Sequence, residues 1–343
     1  MTETSSYLSI KEIKQLGVNA SFETVVLIRK VNTKVGRNGG VFMQIEVGDA
    51  VDTFTFNCFE GTQPFAFFQT ETRKFPQIVY LQGHIEFYAE KLSPRVKHVA
   101  EVKDESREDW LGRLLEKPEE SVELLKKELY DFVNQIQQPK LSATVQQVFE
   151  DLGEKFFTSV AAASMHHAYW HGLLEHSVHV TRIVHTLLPL YPQVNKDLAI
   201  AGALLHDVGK VLEYRYESIE GIDRTRLGRL EGHVVLGYRL VRSAALRHQL
   251  ETEWLERLEH ILLSHQGEPE WGAAVYPSTP EAIFIAMADN FDAKMAMVQQ
   301  QLRKALPKQI FSDFVPGLQT RLMTQSITDF LVIDPAVPIP PDA

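Results

Sequence analysis

The chain is poor in cysteine: Cys58 is the only one among 343 residues. A lone cysteine has no partner within the chain, which excludes a disulfide framework and a zinc site built from several thiolates. Any bound metal ion must therefore be held by imidazole and carboxylate groups.

A long apolar run is also missing. No uninterrupted stretch approaches the roughly 18 apolar residues that a membrane span needs, and the opening MTETSSYLS lacks the basic and apolar regions of a signal peptide. We therefore expect a cytoplasmic chain with no membrane partner. Apolar residues make up 44% and charged residues 23% of the sequence, which is typical of globular proteins.

Positively charged residues are outnumbered by negatively charged ones, which gives the chain a net charge of -10. Residues 1–103 contain 12 Lys and Arg against 11 Asp and Glu, a net charge of +1, whereas the rest contain 23 against 34, a net charge of -11. The length suits two domains, and this asymmetry favours a boundary near residue 104. Bulk attraction to nucleic acid is not expected of the second part.

Residues 22–102 alternate apolar and polar side chains and are rich in β-branched and aromatic residues. The pattern predicts five short strands, separated by turn signals such as GRNGG and VGDA. Five strands in about 80 residues suit a small closed or partly closed barrel.

After residue 104 the apolar period becomes that of a helix. Two helices over 122–136 and 141–153 are predicted to connect the parts, and further helices are predicted over 173–190, 196–206, 232–248, 253–264 and 280–305. We therefore expect an all-α second domain. The tail, residues 331–343, is rich in proline and has little to bury.

Most of the 13 histidines lie between residues 166 and 265. Histidine or aspartate stands beside an apolar segment in GLLEHS, LLHDVGK, LEGHVVLG, ILLSHQGEPEWG and IAMADNFDAK. The residues in question are His176, His206, Asp207, His233, His265 and Asp289. Any one of these histidines alone could be a hydrogen-bonded core residue, but a shared metal would supply a partner to the whole set at once.

Nitrogen and oxygen ligands without sulfur suit a divalent ion such as Mn²⁺, Fe²⁺, Mg²⁺ or Zn²⁺. One carboxylate can bridge two such ions about 3.5–4 Å apart, and the pair can clamp a phosphoryl group during displacement. Asp207 is the natural candidate for a bridging ligand.

The order of these motifs resembles the HD superfamily of metal-dependent phosphohydrolases. More narrowly, HHAYWHGLLEHS, LLHDVGK, EGH, SHQGEPEWG and TPEAIFIAMADNFDAK are similar to the YhaM-type 3′→5′ exoribonucleases. The resemblance implies an OB-fold over residues 1–103, a helical connector over 104–153 and an HD domain over 154–330. The chain differs from the usual family pattern at Gln266, where a second His is frequent, and at His171, where Gly is frequent.

The resemblance also implies roles for individual residues. His176, His206, Asp207 and Asp289 would hold one ion, while Asp207, His233 and His265 would serve the second. Two ions are expected, Mn²⁺ first, with Fe²⁺, Co²⁺, Mg²⁺ or Zn²⁺ as alternatives. Asp207 and Lys210 would be catalytic, with Lys210 near a substrate phosphate or the activated water; alternatively, Lys210 is a solvated residue that caps a helix end.

Substrate-binding residues are predicted in both parts of the chain. His166 and His167 would line a nucleotide pocket, or else form a pair of exposed loop residues. Arg29, Lys30 and Arg37, with Lys34, Arg95 and Lys97, could follow a phosphate backbone, or else be scattered solvated charges. The aromatic residues Phe42, Phe54, Phe56, Phe87 and Tyr88 are expected to divide between barrel core and base stacking.

The sequence thus predicts an exoribonuclease that hydrolyses single-stranded RNA, or DNA, from the 3′ end with a metal-activated water. Two alternatives remain open. One is a nucleotide or alarmone phosphohydrolase with a regulatory barrel, and the other is a catalytically silent nucleic-acid-binding factor. A homo-oligomer is compatible with any of these functions.

Overall fold

The computed structural model describes residues 7–36, 39–69, 77–88, 91–102, 107–162, 169–217 and 221–325. The predictions for Arg37, His166, His167 and the tail 331–343 lie outside these residues. Of the helices within them, none has the length and apolar character required to cross a membrane.

The N-terminal part is a five-stranded antiparallel sheet. Its strands are β1 (Ser21–Val35), β2 (Val41–Gly48), β3 (Thr53–Phe59), β4 (Ile78–Tyr88) and β5 (Lys91–Glu101), arranged in the order β3-β2-β1-β4-β5. The five predicted strands are therefore confirmed. Two short helices accompany them, α1 (Ile10–Ile13) and α2 (Gln63–Phe68).

Successive side chains of β3 point alternately to the core face and to the outer face of the sheet. Phe54, Phe56 and Cys58 are buried, whereas Asn57 and Phe59 point outward. The buried side chains join a core cluster that also includes residues of α2. Phe54 and Phe56 are thus core residues rather than candidates for base stacking.

The two edge strands of the sheet, β3 and β5, approach each other. The Arg95 guanidinium of β5 lies 5.2 Å from the ring centroid of Phe59 in β3. Gln63 in α2 also bonds both backbone groups of Val99 in β5, at 2.8 and 2.9 Å. Within the described strands, however, no hydrogen-bonded ladder joins β3 to β5, so a closed barrel is not shown.

Four helices follow the sheet: α3 (Arg107–Leu114), α4 (Val122–Val133), α5 (Pro139–Leu152) and α6 (Glu154–Thr158). Trp110 and Leu114 of α3 pack with Val25, Leu27 and Ile78 of the sheet. The apolar stripes of α4 and α5 instead join the core of the helical part.

The C-terminal part is mostly helical, as predicted. Its helices are α7 (Gly172–Leu187), α8 (Lys196–Leu205), α9 (Lys210–Glu213), α10 (Arg226–Leu230), α11 (Gly232–Arg247), α12 (Thr252–Ser264) and α13 (Pro280–Lys304). The expectation of an all-α domain needs correction, because two antiparallel hairpins also occur: β6 (Tyr214–Glu217) with β7 (Gly221–Arg224), and β8 (Phe311–Val315) with β9 (Thr320–Met323). Strands of four or five residues are too short to give a clear period-two signal.

Candidate metal centre

Six side chains from five helical segments meet inside the helical part. His176 lies in α7, His206 and Asp207 follow α8, His233 is in the first turn of α11, His265 follows α12, and Asp289 lies in α13. The structure thus brings together all six residues that the sequence singled out as metal ligands.

Two glycines allow the helices to approach closely enough for this. A Cβ at Gly202 in α8 would lie 2.4 Å from Ile285 and 2.9 Å from Ile261, so α8 packs directly on α12 and α13. A Cβ at Gly209 would lie 2.0 Å from the His233 carbonyl oxygen. The turn after Asp207 therefore rests on the backbone of α11, which places His233 beside Asp207.

The first cluster contains His176, His206, Asp207 and Asp289. His176 Nε2 lies 3.2 Å from Asp207 Oδ2 and 3.2 Å from Asp289 Oδ1. His206 Nε2 lies 3.4 Å from the same Asp207 oxygen and 3.8 Å from Asp289 Oδ1.

The second cluster is built on the other oxygen of Asp207. The Nε2 atoms of His233 and His265 each lie 3.5 Å from Asp207 Oδ1. In each of the triads His176–His206–Asp207 and Asp207–His233–His265, one ligand atom per residue lies within 4.8 Å of the others. Asp207 is the residue that the two triads share.

Hydrogen bonds orient all four imidazoles in the same sense. The Nδ1 atoms contact oxygen acceptors: Asp292 Oδ2 for His176 at 2.7 Å, the Ala203 carbonyl for His206 at 2.8 Å, Glu213 Oε2 for His233 at 2.7 Å and the Leu262 carbonyl for His265 at 2.8 Å. An acceptor at Nδ1 favours the proton there, which leaves the Nε2 lone pair free for a metal ion.

The polar atoms at the centre fit a divalent cation. Asp207 is fully buried, and its Oδ1 accepts no hydrogen bond from the described residues. The Nε2 atoms of His176 and His206 lie 3.1 Å apart, a costly contact for two lone pairs without a cation or proton between them. Imidazole and carboxylate ligands of this kind suit Mn²⁺, Fe²⁺ or Zn²⁺.

Lys210 lies within the same buried group. Its Nζ is 2.5 Å from Asp207 Oδ2, and the residue is 7% exposed, so it is not a solvated cap. Burial lowers the pKa of Lys210, but Asp207 outweighs that effect and raises it. Burial raises the pKa of Asp207, but Lys210 and His206 hold it well below its usual value.

Before a cation binds, Asp289 and His176 also stabilise each other's charged forms, so a metal ion that binds His176 Nε2 takes the place of a proton there. Burial raises the pKa of Asp289, yet the hydrogen bond from His176 and the neighbouring imidazoles bring it down to about 2. Burial lowers the pKa of His176, whereas Asp207, Asp289 and Asp292 together raise it well above its usual value. The centre therefore keeps its carboxylates ionised at neutral pH.

Sequence reasoning missed the two carboxylates that support the imidazoles. Asp292 follows Asp289 by three residues on α13, and Glu213 follows Lys210 by three residues on α9. Residues three apart share a helix face, so the spacing itself was an available signal. His179 adds a further contact, because its Nδ1 lies 3.4 Å from Asp292 Oδ1.

Gln266, where the chain departs from the family pattern, faces the second cluster. Its Nε2 lies 3.3 Å from His233 Nε2 and 3.1 Å from His265 Nε2. Rotation of the Gln266 amide by 180° would instead place its neutral oxygen, Oε1, beside the Nε2 atoms of His233 and His265. The substitution thus keeps a polar group beside these two histidines.

The predicted substrate-binding residues Arg29 and Lys30 are not part of the metal centre. Both are exposed on β1 of the N-terminal sheet. Arg29 Nη2 donates to the Asp49 carbonyl at 3.1 Å, and Lys30 pairs with Glu46 across the strands.

A family model described as HD domain matches residues 173–294, the stretch that contains all six clustered residues. The fold and the cluster therefore define an HD-domain protein.

Three curated proteins named 3'-5' exoribonuclease YhaM are similar over most of their length. The Shouchella clausii protein is 30% identical over 319 residues, which cover 91% of this chain and 95% of that protein. The Geobacillus sp. protein is 28% identical over 315 residues, 91% of this chain and 94% of the relative, and the Oceanobacillus iheyensis protein is 28% identical over 293 residues, 84% and 89%. The chain belongs to the YhaM family, which confirms the resemblance.

Proposed function

We propose that the chain is a metal-dependent 3′→5′ exoribonuclease that hydrolyses the phosphodiester bonds of single-stranded RNA. The observation that carries this proposal is the position of Asp207, whose two oxygens each face a separate histidine cluster. The names of the relatives supply the direction of attack and the RNA substrate.

The residues divide into two ligand sets. His176, His206, Asp207 and Asp289 hold one divalent ion, and Asp207, His233 and His265 hold the other, Mn²⁺ being the first candidate and Fe²⁺, Co²⁺, Mg²⁺ and Zn²⁺ the alternatives. Such a pair, when bound, lowers the pKa of a water molecule and offsets the charge of a phosphodiester. A protein that only binds nucleic acid would not need this complete set of inward-facing ligands.

Lys210 and Asp207 act as a unit. The buried ammonium group of Lys210, 2.5 Å from Asp207 Oδ2, provides a fixed positive charge at the centre. It binds a non-bridging phosphate oxygen and orients the scissile bond, because a preorganised charge in a buried site needs no reorganisation during the reaction. Asp207 keeps Lys210 protonated while it holds the ions.

We assign the N-terminal sheet, within residues 1–103, to an OB-fold that binds the RNA strand. The antiparallel order β3-β2-β1-β4-β5, the helix α2 between β3 and β4, and the approach of β3 to β5 support this assignment. Arg29, Lys30 and Arg37 contact the phosphate backbone, and His166 and His167 line the nucleotide pocket. Residues 104–153 connect this domain to the HD domain of residues 154–330.

The test uses one single-stranded RNA labelled at either end, incubated with Mn²⁺. We expect the 3′ label to be released at once as a mononucleotide, while the 5′ label stays on a strand that shortens stepwise. Asp207→Asn should release neither label. Cleavage of a circular single-stranded RNA, or equal turnover by Asp207→Asn, would overturn the proposal.

A further inference from the structure

A row of four side chains crosses the outer face of the N-terminal sheet. Lys34 of β1 pairs with Phe42 of β2, and Phe42 pairs with Phe59 of β3. The Arg95 guanidinium of β5 then lies 5.2 Å from the Phe59 centroid. Two aromatic residues thus lie side by side between two cationic residues of the row, and the Lys34 ammonium group donates to Gln44 Oε1 at 2.7 Å.

The rings are not part of the sheet core. Phe59 is 42% exposed, although a phenylalanine on a strand gains most by pointing inward. The Phe42 and Phe59 centroids are 5.8 Å apart, with 30° between the ring planes, so the two rings offer neighbouring faces at similar tilt. Buried Phe54 and Phe56, on the opposite face of β3, show where core phenylalanines of this strand lie.

A pocket of about 330 Å³, lined by both polar and apolar side chains, continues the row between β3 and β5. Asn57, Thr62, His84, Arg95 and Lys97 are among its lining residues. Glu86 supplies the one carboxylate among the described lining residues, and that carboxylate is 3.0 Å from His84 Nε2. The pocket is therefore positive on balance, in a chain whose net charge is -10.

We infer that this face is a base-stacking platform for single-stranded RNA, an inference that rests on the proposed nuclease function. Two successive bases stack on Phe42 and Phe59, the phosphates between them contact Lys34 and Arg95, and the polar edge of one base enters the pocket beside Asn57 and Lys97. Every base has a π-face, so such a platform binds without sequence preference, as an exonuclease that must pass along any strand requires.

The test measures binding by fluorescence anisotropy, with EDTA present so that metal-dependent cleavage does not shorten the probe. The probes are a 5′-labelled oligouridylate of 12 nucleotides and an abasic strand of equal length and charge. The variants are Phe42→Ala and Phe59→Ala. Phe87→Ala is the matched control: the sequence also made Phe87 a candidate for base stacking, but the structure places it on β4 of the same sheet, 64% exposed and outside the row.

We expect Phe42→Ala and Phe59→Ala each to weaken binding of the oligouridylate about tenfold, the usual loss when one stacking partner is removed. Their affinity for the abasic strand should stay at the wild-type value, and Phe87→Ala should bind both probes like the wild type. Unchanged oligouridylate affinity in both row variants, or equal weakening in Phe87→Ala, would overturn the platform.

Hydrolysis of bis-p-nitrophenyl phosphate by the wild type with Mn²⁺, measured in parallel, separates this inference from the function on which it rests. An inactive wild type would overturn the proposed nuclease chemistry, while the comparison of the two probes would still decide the platform.

Discussion

Asp292 Oδ2 lies 2.7 Å from Nδ1 of His176, and both residues are buried. This contact fixes the imidazole so that its Nε2 faces His206, Asp207 and Asp289. Because Asp292 contacts the first cluster through the Nδ1 of His176, it is a positioning residue for the metal centre.

Asp292→Ala should weaken Mn²⁺ binding about 10- to 100-fold, the range for loss of a carboxylate behind a ligating histidine. Asp292→Asn is the matched control: its amide oxygen can still accept from Nδ1, so it should lose less. Mn²⁺ titration calorimetry measures the affinity, and far-UV circular dichroism checks the fold. Wild-type affinity in Asp292→Ala would contradict the role.

Asp207→Asn should abolish hydrolysis and remove bound metal from both clusters together, because each cluster uses one oxygen of the same carboxylate. Metal analysis and model-ester turnover measure the two losses. Asp223→Asn serves as control, since Asp223 is an exposed carboxylate of β7 that pairs with Arg229. If Asp207→Asn kept its metal, the bridging assignment would be wrong.

Gly209→Ala should reduce activity and destabilise the fold. The new Cβ would lie 2.0 Å from the His233 carbonyl and 2.5 Å from the Gly237 nitrogen, so α11 must move and carry His233 away from Asp207. Overpacking of this kind costs about 1–3 kcal/mol, which denaturant unfolding measures.

Gly112→Ala is the matched control for this substitution. Gly112 lies in helix α3, and apart from its own helix no atom of the described residues lies within 4 Å of the added Cβ, so the change should stabilise the chain by up to about 1 kcal/mol through helix propensity. Equal effects at both glycines would argue that Gly209 has no special role.

The sequence predicted the long elements of the fold well because their patterns extend over several turns. The helix predicted over 253–264 is observed at Thr252–Ser264, and that over 196–206 at Lys196–Leu205, where Asn195 caps the first turn. The helix α2 was missed, because six residues that include PFAFF are too few to reveal a helical period.

The candidate ligands were visible in the sequence because each polar residue interrupts or follows an apolar segment. Asp292 and Glu213 were not singled out: their spacing of three residues from Asp289 and Lys210 was visible, but only the fold places them behind particular imidazoles. His171 has a φ of 67°, in the left-handed region that favours glycine. That backbone geometry explains why the family pattern often has Gly there, which no single sequence could reveal.

Cys58 should react slowly with thiol reagents at pH 8 until the chain unfolds. Burial raises the pKa of its thiol from 9.0 to about 12, an effect that nearby Arg95 only partly opposes. Reaction with a disulfide reagent, with and without guanidinium, measures the difference. Rapid reaction of the native chain would show that the N-terminal sheet opens and exposes the Cys58 thiol to the reagent.

The same shift makes stability depend on pH. Because the folded-state pKa of Cys58 lies above the unfolded value, its contribution is fully present below about pH 9 and is lost as the pH rises toward 12. Between pH 8 and pH 10.5, wild type should therefore lose more unfolding free energy than Cys58→Ala. An equal loss of unfolding free energy in wild type and Cys58→Ala would contradict the predicted direction of this pH dependence.

The charge division of the chain predicts how RNA affinity responds to salt. Residues 104–343 carry a net charge of -11 against +1 for residues 1–103, so the cations that meet phosphates must come mainly from the sheet. Each single-strand phosphate contact contributes roughly 0.7 to the slope of log affinity against log salt. With three or four contacts from residues such as Lys34, Arg95 and Lys97, the slope should be about 2 to 3.

Stacking and charge can then be separated on the same plot. Arg95→Ala should reduce the slope by roughly 0.7, because one phosphate contact is removed. Phe59→Ala should lower the affinity at every salt concentration and leave the slope unchanged, since stacking releases no counterions. Anisotropy titrations with the oligouridylate from about 50 to about 200 mM NaCl measure both values. A steep slope of wild type, or a slope that falls in Phe59→Ala but not in Arg95→Ala, would mean that RNA is bound mainly by cations elsewhere on the chain.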